Sequence, residues 1–163
     1  MFKMILPWMI GVLTLAADII SKMFIVKTIP YGGGHDYLGG FLRITLVFND
    51  GGVFGILRGH KNMFLIVSII VLLIMIAYYV YEKNRTFLFT LAMSLIFSGA
   101  IGNILDRLIQ DRPGVVDFIS VGFDNFYRWP SFNIADSAIV IGAFLLIIVF
   151  YKAEKDLKKG PVA

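Results

Sequence analysis

Cysteine is absent from the 163 residues, which rules out disulfides, a thiol nucleophile and a thiolate metal site. Histidine is scarce: only His35 and His60 occur, both outside the long apolar runs, and no HExxH pair is present. Zinc therefore has little support; no cofactor is expected, and no metal. Charge is also thin, with 16% Asp, Glu, Lys and Arg where a soluble domain carries about a quarter. Familiar catalytic signatures are missing as well. Ser98-Gly99 has no GxSxG setting and no plausible His base. Ser21 and Lys22 are adjacent and leave different helix faces, so they do not make a dyad with each other. Gly32, Gly33 and Gly34 do not follow a strand and open a helix, so neither a Walker loop nor a dinucleotide fingerprint is present.

What the chain has is hydrocarbon. It is 58% hydrophobic with a mean hydropathy of +0.82, the composition of an integral membrane protein read as a single domain over 1–163. The net charge of +4 and pI near 9.4 do not indicate nucleic acid, because no basic run is interleaved with a reading motif. Positive charge anchoring helix ends at an anionic membrane face explains it better.

Four apolar runs predict four transmembrane helices, at about 4–26, 62–81, 87–108 and 132–151. Each reaches the ~20 residues needed to cross a hydrocarbon core of ~30 Å. The first could pass for a signal peptide, with Ala16-Ala17 as its cleavage site. Leu15 stands where a small residue is wanted, however, and the apolar run continues past Asp18, so it reads as a retained helix. Asp18 and Lys22 lie inside it at i, i+4 with the acid first, either a self-neutralising pair whose lysine snorkels outward or part of a site.

The segment 27–61 differs from the runs around it. Gly32 to Gly34 and Gly39-Gly40 signal loops. Leu42, Ile44, Leu46 and Phe48 then alternate with Arg43, Thr45 and Val47, which predicts a half-buried strand. Asn49-Asp50-Gly51-Gly52 can turn the chain, and Val53 to Leu57 can return as a second strand. A small β-structure lying on the membrane surface is expected here, either a cap over the bundle or a cradle for an extended substrate. The stretch 109–131 is read as an outer loop.

Most of the chemistry lies between Ser98 and Asp136, where Asn103, Asp106, Arg107, Asp117, Asn133 and Asp136 fall at or near membrane level. Ionisable groups cost several kcal/mol in lipid unless paired or facing a wet cavity, so such a cluster points to function. Asp117 follows the third span and Asp136 opens the fourth, at the same membrane face of an antiparallel helix pair. The connection Phe118 to Ser131 can bring them together. Two close carboxyls share a proton: one acts as general base on a water while the other polarises a scissile carbonyl. Structural readings stand beside this one. Asn133 to Asp136 fits an N-cap with an acid at N3, and Asp106-Arg107 could be an ion pair closing a helix. A small ion-coupled transporter using Asp18, Asp106, Asp117 and Asp136 is the leading alternative function, and a polar-glued scaffold is the third.

Five motifs resemble the bacterial lipoprotein signal peptidase (type II signal peptidase) family. They are Asp18-Ile19-Ile20-Ser21-Lys22, Asn49-Asp50-Gly51-Gly52-Val53-Phe54-Gly55, Gly102-Asn103-Ile104-Leu105-Asp106-Arg107, Val115-Val116-Asp117-Phe118-Ile119 and Phe132-Asn133-Ile134-Ala135-Asp136. The resemblance extends over nearly the whole chain. It implies an aspartyl endopeptidase that cuts prolipoproteins on the N-terminal side of a diacylglyceryl-modified cysteine. By that resemblance Asp117 and Asp136 are the catalytic dyad. Asn103 and Asn133 orient the dyad and the substrate backbone, and Asn49 and Arg107 hold substrate carbonyls. Asp18, Lys22 and Asp106 support the site.

The partners implied are prolipoproteins and membrane lipid, with a monomeric enzyme expected. Basic residues do not set the orientation. Seven (Lys3, Lys83, Arg85, Lys152, Lys155, Lys158, Lys159) fall on the face of the termini and seven (Lys27, Arg43, Arg58, Lys61, Arg107, Arg112, Arg128) on the other. Density in the tail and the tight second turn favours cytoplasmic termini. The resemblance implies the same, in a bacterial inner membrane, with the dyad near the outer leaflet. Phe123, Phe126, Tyr127 and Trp129 would then cover the site as interfacial aromatics. The connection from Leu108 to Gly114 is slightly longer than the usual family form, which bears most on how Arg107 sits relative to Asp117.

Overall fold

The computed structural model describes residues 2–51 and 59–158. Four helices are long and apolar enough to cross a membrane: α1 (Phe2–Thr28), α2 (Lys61–Tyr81), α3 (Phe87–Leu108) and α4 (Ile134–Lys158). They alternate in direction, so the C-terminal ends of α1 and α3 meet the N-terminal ends of α2 and α4 at one face. A four-stranded antiparallel sheet stands at that end, in the order β1 (Gly34–Tyr37), β2 (Leu42–Asn49), β3 (Val115–Phe123) and β4 (Tyr127–Arg128).

α3 is the central helix of the bundle. Thr86 caps it by accepting from the Phe89 N–H at 3.1 Å, and its buried positions run from Phe89 to Asp106. It packs most extensively on α4 and then on α1. Lipid removes the hydrophobic drive between helices, so small residues that permit close approach decide where they touch. A Cβ on Gly99 would lie 2.3 Å from the Ala135 carbonyl oxygen, and one on Gly142 would lie 2.7 Å from that of Ala92. α1 meets α3 where Ser94 Oγ donates to the Pro7 carbonyl at 2.8 Å. α2 has no buried residue and presents apolar side chains all round, as a lipid-facing helix does.

The strand expected from alternation is β2. β2 pairs with β1 on one side and with β3 on the other, with a register shift between Ile44 and Val47. Val53 to Leu57, read as the returning strand, lie outside the described residues. β3 occupies much of the stretch read as an outer loop. The reason is burial on both faces: Val115 to Phe118 are all buried, so no period of two shows, and an apolar run of that kind cannot be told from a helix extension. The end of α1 and the residue just after it pack beneath the sheet, Ile25 and Ile29 against Leu46, Val116 and Phe118. On the outer side Arg43 bridges Asp36 and Asp124, and Arg128 joins Asp124 to the Gly40 carbonyl.

The α3–α4 contact leads to a stability prediction. Gly99→Val forces a side chain into the Ala135 backbone and is expected to destabilise the protein by about 2 kcal/mol or more. Val140→Ala, on the exposed side of α4, is expected to shift the thermal unfolding midpoint in detergent far less.

Candidate active site

The site begins with a buried ammonium. Lys22 sits inside the bundle, 2% exposed, and the outward snorkelling considered for it does not occur. Its Nζ lies 2.8 Å from Asp18 Oδ2 and 3.0 Å from Asp106 Oδ2, and donates a hydrogen bond to Asn103 Oδ1 at 3.0 Å. The contact with Asp18 Oδ2 is an ion pair outside hydrogen-bond geometry. The i, i+4 spacing puts Asp18 and Lys22 on one face of α1, turned toward α3. Gly102 of α3 makes room: a Cβ there would stand 2.5 Å from Asp18 Oδ2.

Each carboxylate also holds a backbone amide of another element. Asp18 Oδ1 accepts from the Ala135 N–H at 2.9 Å, which fixes the first turn of α4. Asp106 Oδ2 accepts from the Val116 N–H at 3.2 Å, which fixes the start of β3, and Asp106 Oδ1 is paired with the Arg112 guanidinium. Asp106 is therefore not closed off by its neighbour Arg107; its partners come from α1 and from the connection that follows α3.

Asp117 and Asp136 are thereby set by two different anchors, one on β3 and one on α4, and a pair of asparagines joins them. Asn133 Nδ2 donates to Asp117 Oδ1 at 2.8 Å, and Asn49 Nδ2 donates to Asp117 Oδ2 at 3.1 Å. Asn103 Nδ2 donates to Asp136 Oδ1 at 2.7 Å, and Asn133 Nδ2 also reaches Asn103 Oδ1 at 3.2 Å. The helix start read from Asn133 and Asp136 is present too. Asn133 Oδ1 accepts from the Asp136 N–H at 2.8 Å, and Asp136 Oδ2 accepts from the Asn133 N–H at 3.2 Å, a reciprocal capping box. The cap and the paired carboxyls use the same side chain.

Burial dominates the electrostatics at Asp117. The carboxyl is 2% exposed, and desolvation pushes its pKa up to about 7. The negative charge of Asp136 adds to the rise, while hydrogen bonds from Asn49 and Asn133 and the charge of Lys22 oppose it. A carboxyl that holds its proton near neutrality beside a second carboxyl is poised for acid–base work. Among the described residues, no three His, Cys, Asp or Glu side chains gather as metal ligands would.

Arg107 is half-buried and donates to the Asn103 carbonyl at 3.3 Å, while its charge acts on Asp136 and Asp117. It lines a groove of about 670 Å³ with His60, Lys61, Met63 and Gln110, between the start of α2 and the end of α3. Two residues singled out by no motif also belong to this neighbourhood. Arg112 holds Asp106, and Lys61 Nζ donates to the carbonyls of Ile109 and Arg112 at 2.8 and 2.6 Å. In the sequence both read as ordinary interfacial charges. The slightly longer 108–114 connection was the only sign that something there differs.

The chain has close relatives among known proteins. A family model described as signal peptidase (SPase) II matches residues 10–152. The lipoprotein signal peptidase of Staphylococcus haemolyticus (strain JCSC1435) is 34% identical over 143 residues, covering 88% of this chain and 89% of its own. That of Staphylococcus aureus (strain JH9) is 34% identical over 154 residues, covering 94% and 93%. A bacterial membrane enzyme solved by the in meso method at 2.3 Å superposes with a TM-score of 0.85 at 34% identity, over 96% of this chain and 94% of that one. A second, at 1.9 Å, superposes with a TM-score of 0.75 at 34% identity over 88% and 91%.

Breaking the ion cluster is expected to unfold the site. Lys22→Met leaves Asp18 and Asp106 without their shared cation and is expected to cost about 3–5 kcal/mol. Adding Asp18→Asn should restore part of the loss, because the amide oxygen still accepts from Ala135 while one buried charge is gone. Thermal unfolding in lipid checks both.

Proposed function

Because the chain belongs to the signal peptidase II family, we propose that it removes the signal peptide from lipoprotein precursors with Asp117 and Asp136 as a metal-free catalytic dyad. The observation that carries the assignment is their shared network: two carboxyls on separate elements, tied through Asn103 and Asn133, one of them held protonated near neutral pH. The same network counts against an ion path. Acids that relay ions across a bilayer are spread through it, whereas Asp18, Asp106, Asp117 and Asp136 belong to one connected cluster.

The chemistry follows from a pair that carries a single proton. The ionised carboxylate takes a proton from a water as its oxygen attacks the scissile carbonyl carbon. The protonated partner donates to the carbonyl oxygen, giving a neutral tetrahedral diol. Collapse of the diol breaks the C–N bond. The first carboxyl passes its proton to the leaving nitrogen, the diol returns one proton to the other, and the pair is again singly protonated. The products are a signal peptide with a free carboxyl end and a lipoprotein with a free amino end. Asn133 and Asn103 hold the two carboxyls in register. Asn49, which donates to Asp117, and Arg107, whose charge acts on both carboxyls, are suited to hold substrate carbonyls.

A substrate whose cysteine carries a diacylglyceryl group keeps its scissile bond at the lipid–water boundary. The cluster of helix ends beneath the sheet suits that level, with the signal-peptide helix lying among the spans. Exported precursors call for a site near the outer leaflet of the bacterial inner membrane, with both termini cytoplasmic and a monomer sufficient. Exposed Phe123, Phe126, Tyr127 and Trp129 suit the same boundary.

Asp117→Asn and Asp136→Asn should each lower kcat by about a thousandfold or more in folded protein. Cleavage in lipid of a diacylglyceryl-modified precursor, with the unmodified precursor uncut, is the test; an active Asn variant would overturn the dyad. The pH profile provides a second test. Losing the shared proton removes the general acid, so kcat/KM should fall on the alkaline side with a midpoint near pH 7 in the free enzyme. Substrate covers the site and disfavours charge further, so the corresponding limb of kcat should lie higher.

A further inference from the structure

The buried cluster includes one cation supplied by neither α1 nor α3. Arg112 belongs to the connection between α3 and β3, and its guanidinium pairs with Asp106 Oδ1. With it the cluster balances: Asp18 and Asp106 carry two negative charges, Lys22 and Arg112 two positive ones. Without it a net negative charge stays beside Asp117, in surroundings where charge is poorly screened. The connection is pinned on both sides. Lys61 reaches it from the first residue of α2, and Gly114 presses on β2, where an added Cβ would lie 2.2 Å from the Asn49 carbonyl oxygen. Asn49 and Val116, the residues immediately touched by this arrangement, flank Asp117.

We propose that Arg112 is a positioning residue for peptide cleavage, locking the α3–β3 connection with Lys61 and neutralising the second acid of the cluster beside the dyad. The inference rests on the dyad reading. The charged and polar groups around Asp117 are Asn49 from β2, Lys22 from α1, Arg107 from α3, Asn133 just before α4 and Asp136 in its first turn, while Asp106 of α3 holds the amide of the adjacent Val116. Arg112 stands one ion pair behind this set, on Asp106, and removing its positive charge favours the protonated carboxyl at Asp117. The alkaline limb must therefore move up, while a loss of packing alone would leave it in place.

The test uses the full chain in lipid vesicles, with kcat and KM for a diacylglyceryl-modified precursor measured against pH. Arg112→Gln is expected to raise the alkaline midpoint of kcat/KM by about half a unit or more. It is also expected to lower kcat by about tenfold through misplacement of β3, with KM little changed. Arg112→Lys keeps the charge and should hold the midpoint near that of the wild type, even where stability falls. An unmoved midpoint in Arg112→Gln, or an equal shift in Arg112→Lys, overturns the inference while leaving the dyad intact. Activity in Asp117→Asn, run in parallel, overturns both. Should Arg112→Gln fail to fold, Lys61→Met frees the connection without entering the ion cluster. A lowered kcat there, with the midpoint near that of the wild type because Arg112 keeps its charge, supports the inference, and a wild-type kcat refutes it.

Discussion

A lysine ammonium enclosed by protein is unstable unless its surroundings return what water supplied, and in this chain that requirement draws four elements together. Lys22 is met by Asp18 from its own helix and by Asp106 and Asn103 from α3. The two acids do not end there: one holds the first turn of α4 and the other holds the start of β3. Those are the two elements that carry Asp136 and Asp117. A cluster of this kind is weak evidence of stability, since its desolvation cost offsets much of the attraction. Its product is geometry. Two carboxyls from opposite ends of a long connection are set with respect to each other through a charge that touches neither directly.

Much of this was legible in the sequence, for identifiable reasons. Hydropathy alone marks the four spans, and alternation over Leu42 to Phe48 marks β2. The capping box of Asn133 and Asp136 is local and was readable from spacing. β3 was not, because burial of Val115 to Phe118 on both faces erases the period that would reveal a strand. Nor could the direction of Lys22 be read, since spacing shows that it faces Asp18 but not whether the pair turns toward lipid or toward α3. Arg112 and Lys61 were the least legible. Their partners are an acid and two carbonyls brought near by tertiary folding, and in sequence they add only to a count of interfacial charge.

The helices divide the labour unevenly. α3 and α4 are fitted backbone to backbone through Gly99 and Gly142, which leaves no slack where Asp136 is mounted. α2 contributes no buried side chain, and it meets the site only through its first turns, where Lys61 holds the α3–β3 connection and Met63 lines the groove beside Arg107. Asp117 is mounted on a strand bonded to β2 along its length, so both carboxyls rest on rigid elements, as a preorganised site requires.

The bond from the Ala135 N–H to Asp18 spans 117 positions of chain, and that separation sets an order of events during synthesis. α1 enters the bilayer with Asp18 and Lys22 long before α3 supplies Asp106, and α4 arrives last with both Ala135 and Asp136. Until then the first acid has no amide to hold, and Asp117 lacks the carboxyl that is joined to it through Asn103 and Asn133. On the dyad reading, the site stays incomplete until α4 docks, and that one step both closes the ion cluster on the Ala135 amide and brings Asp136 to Asp117.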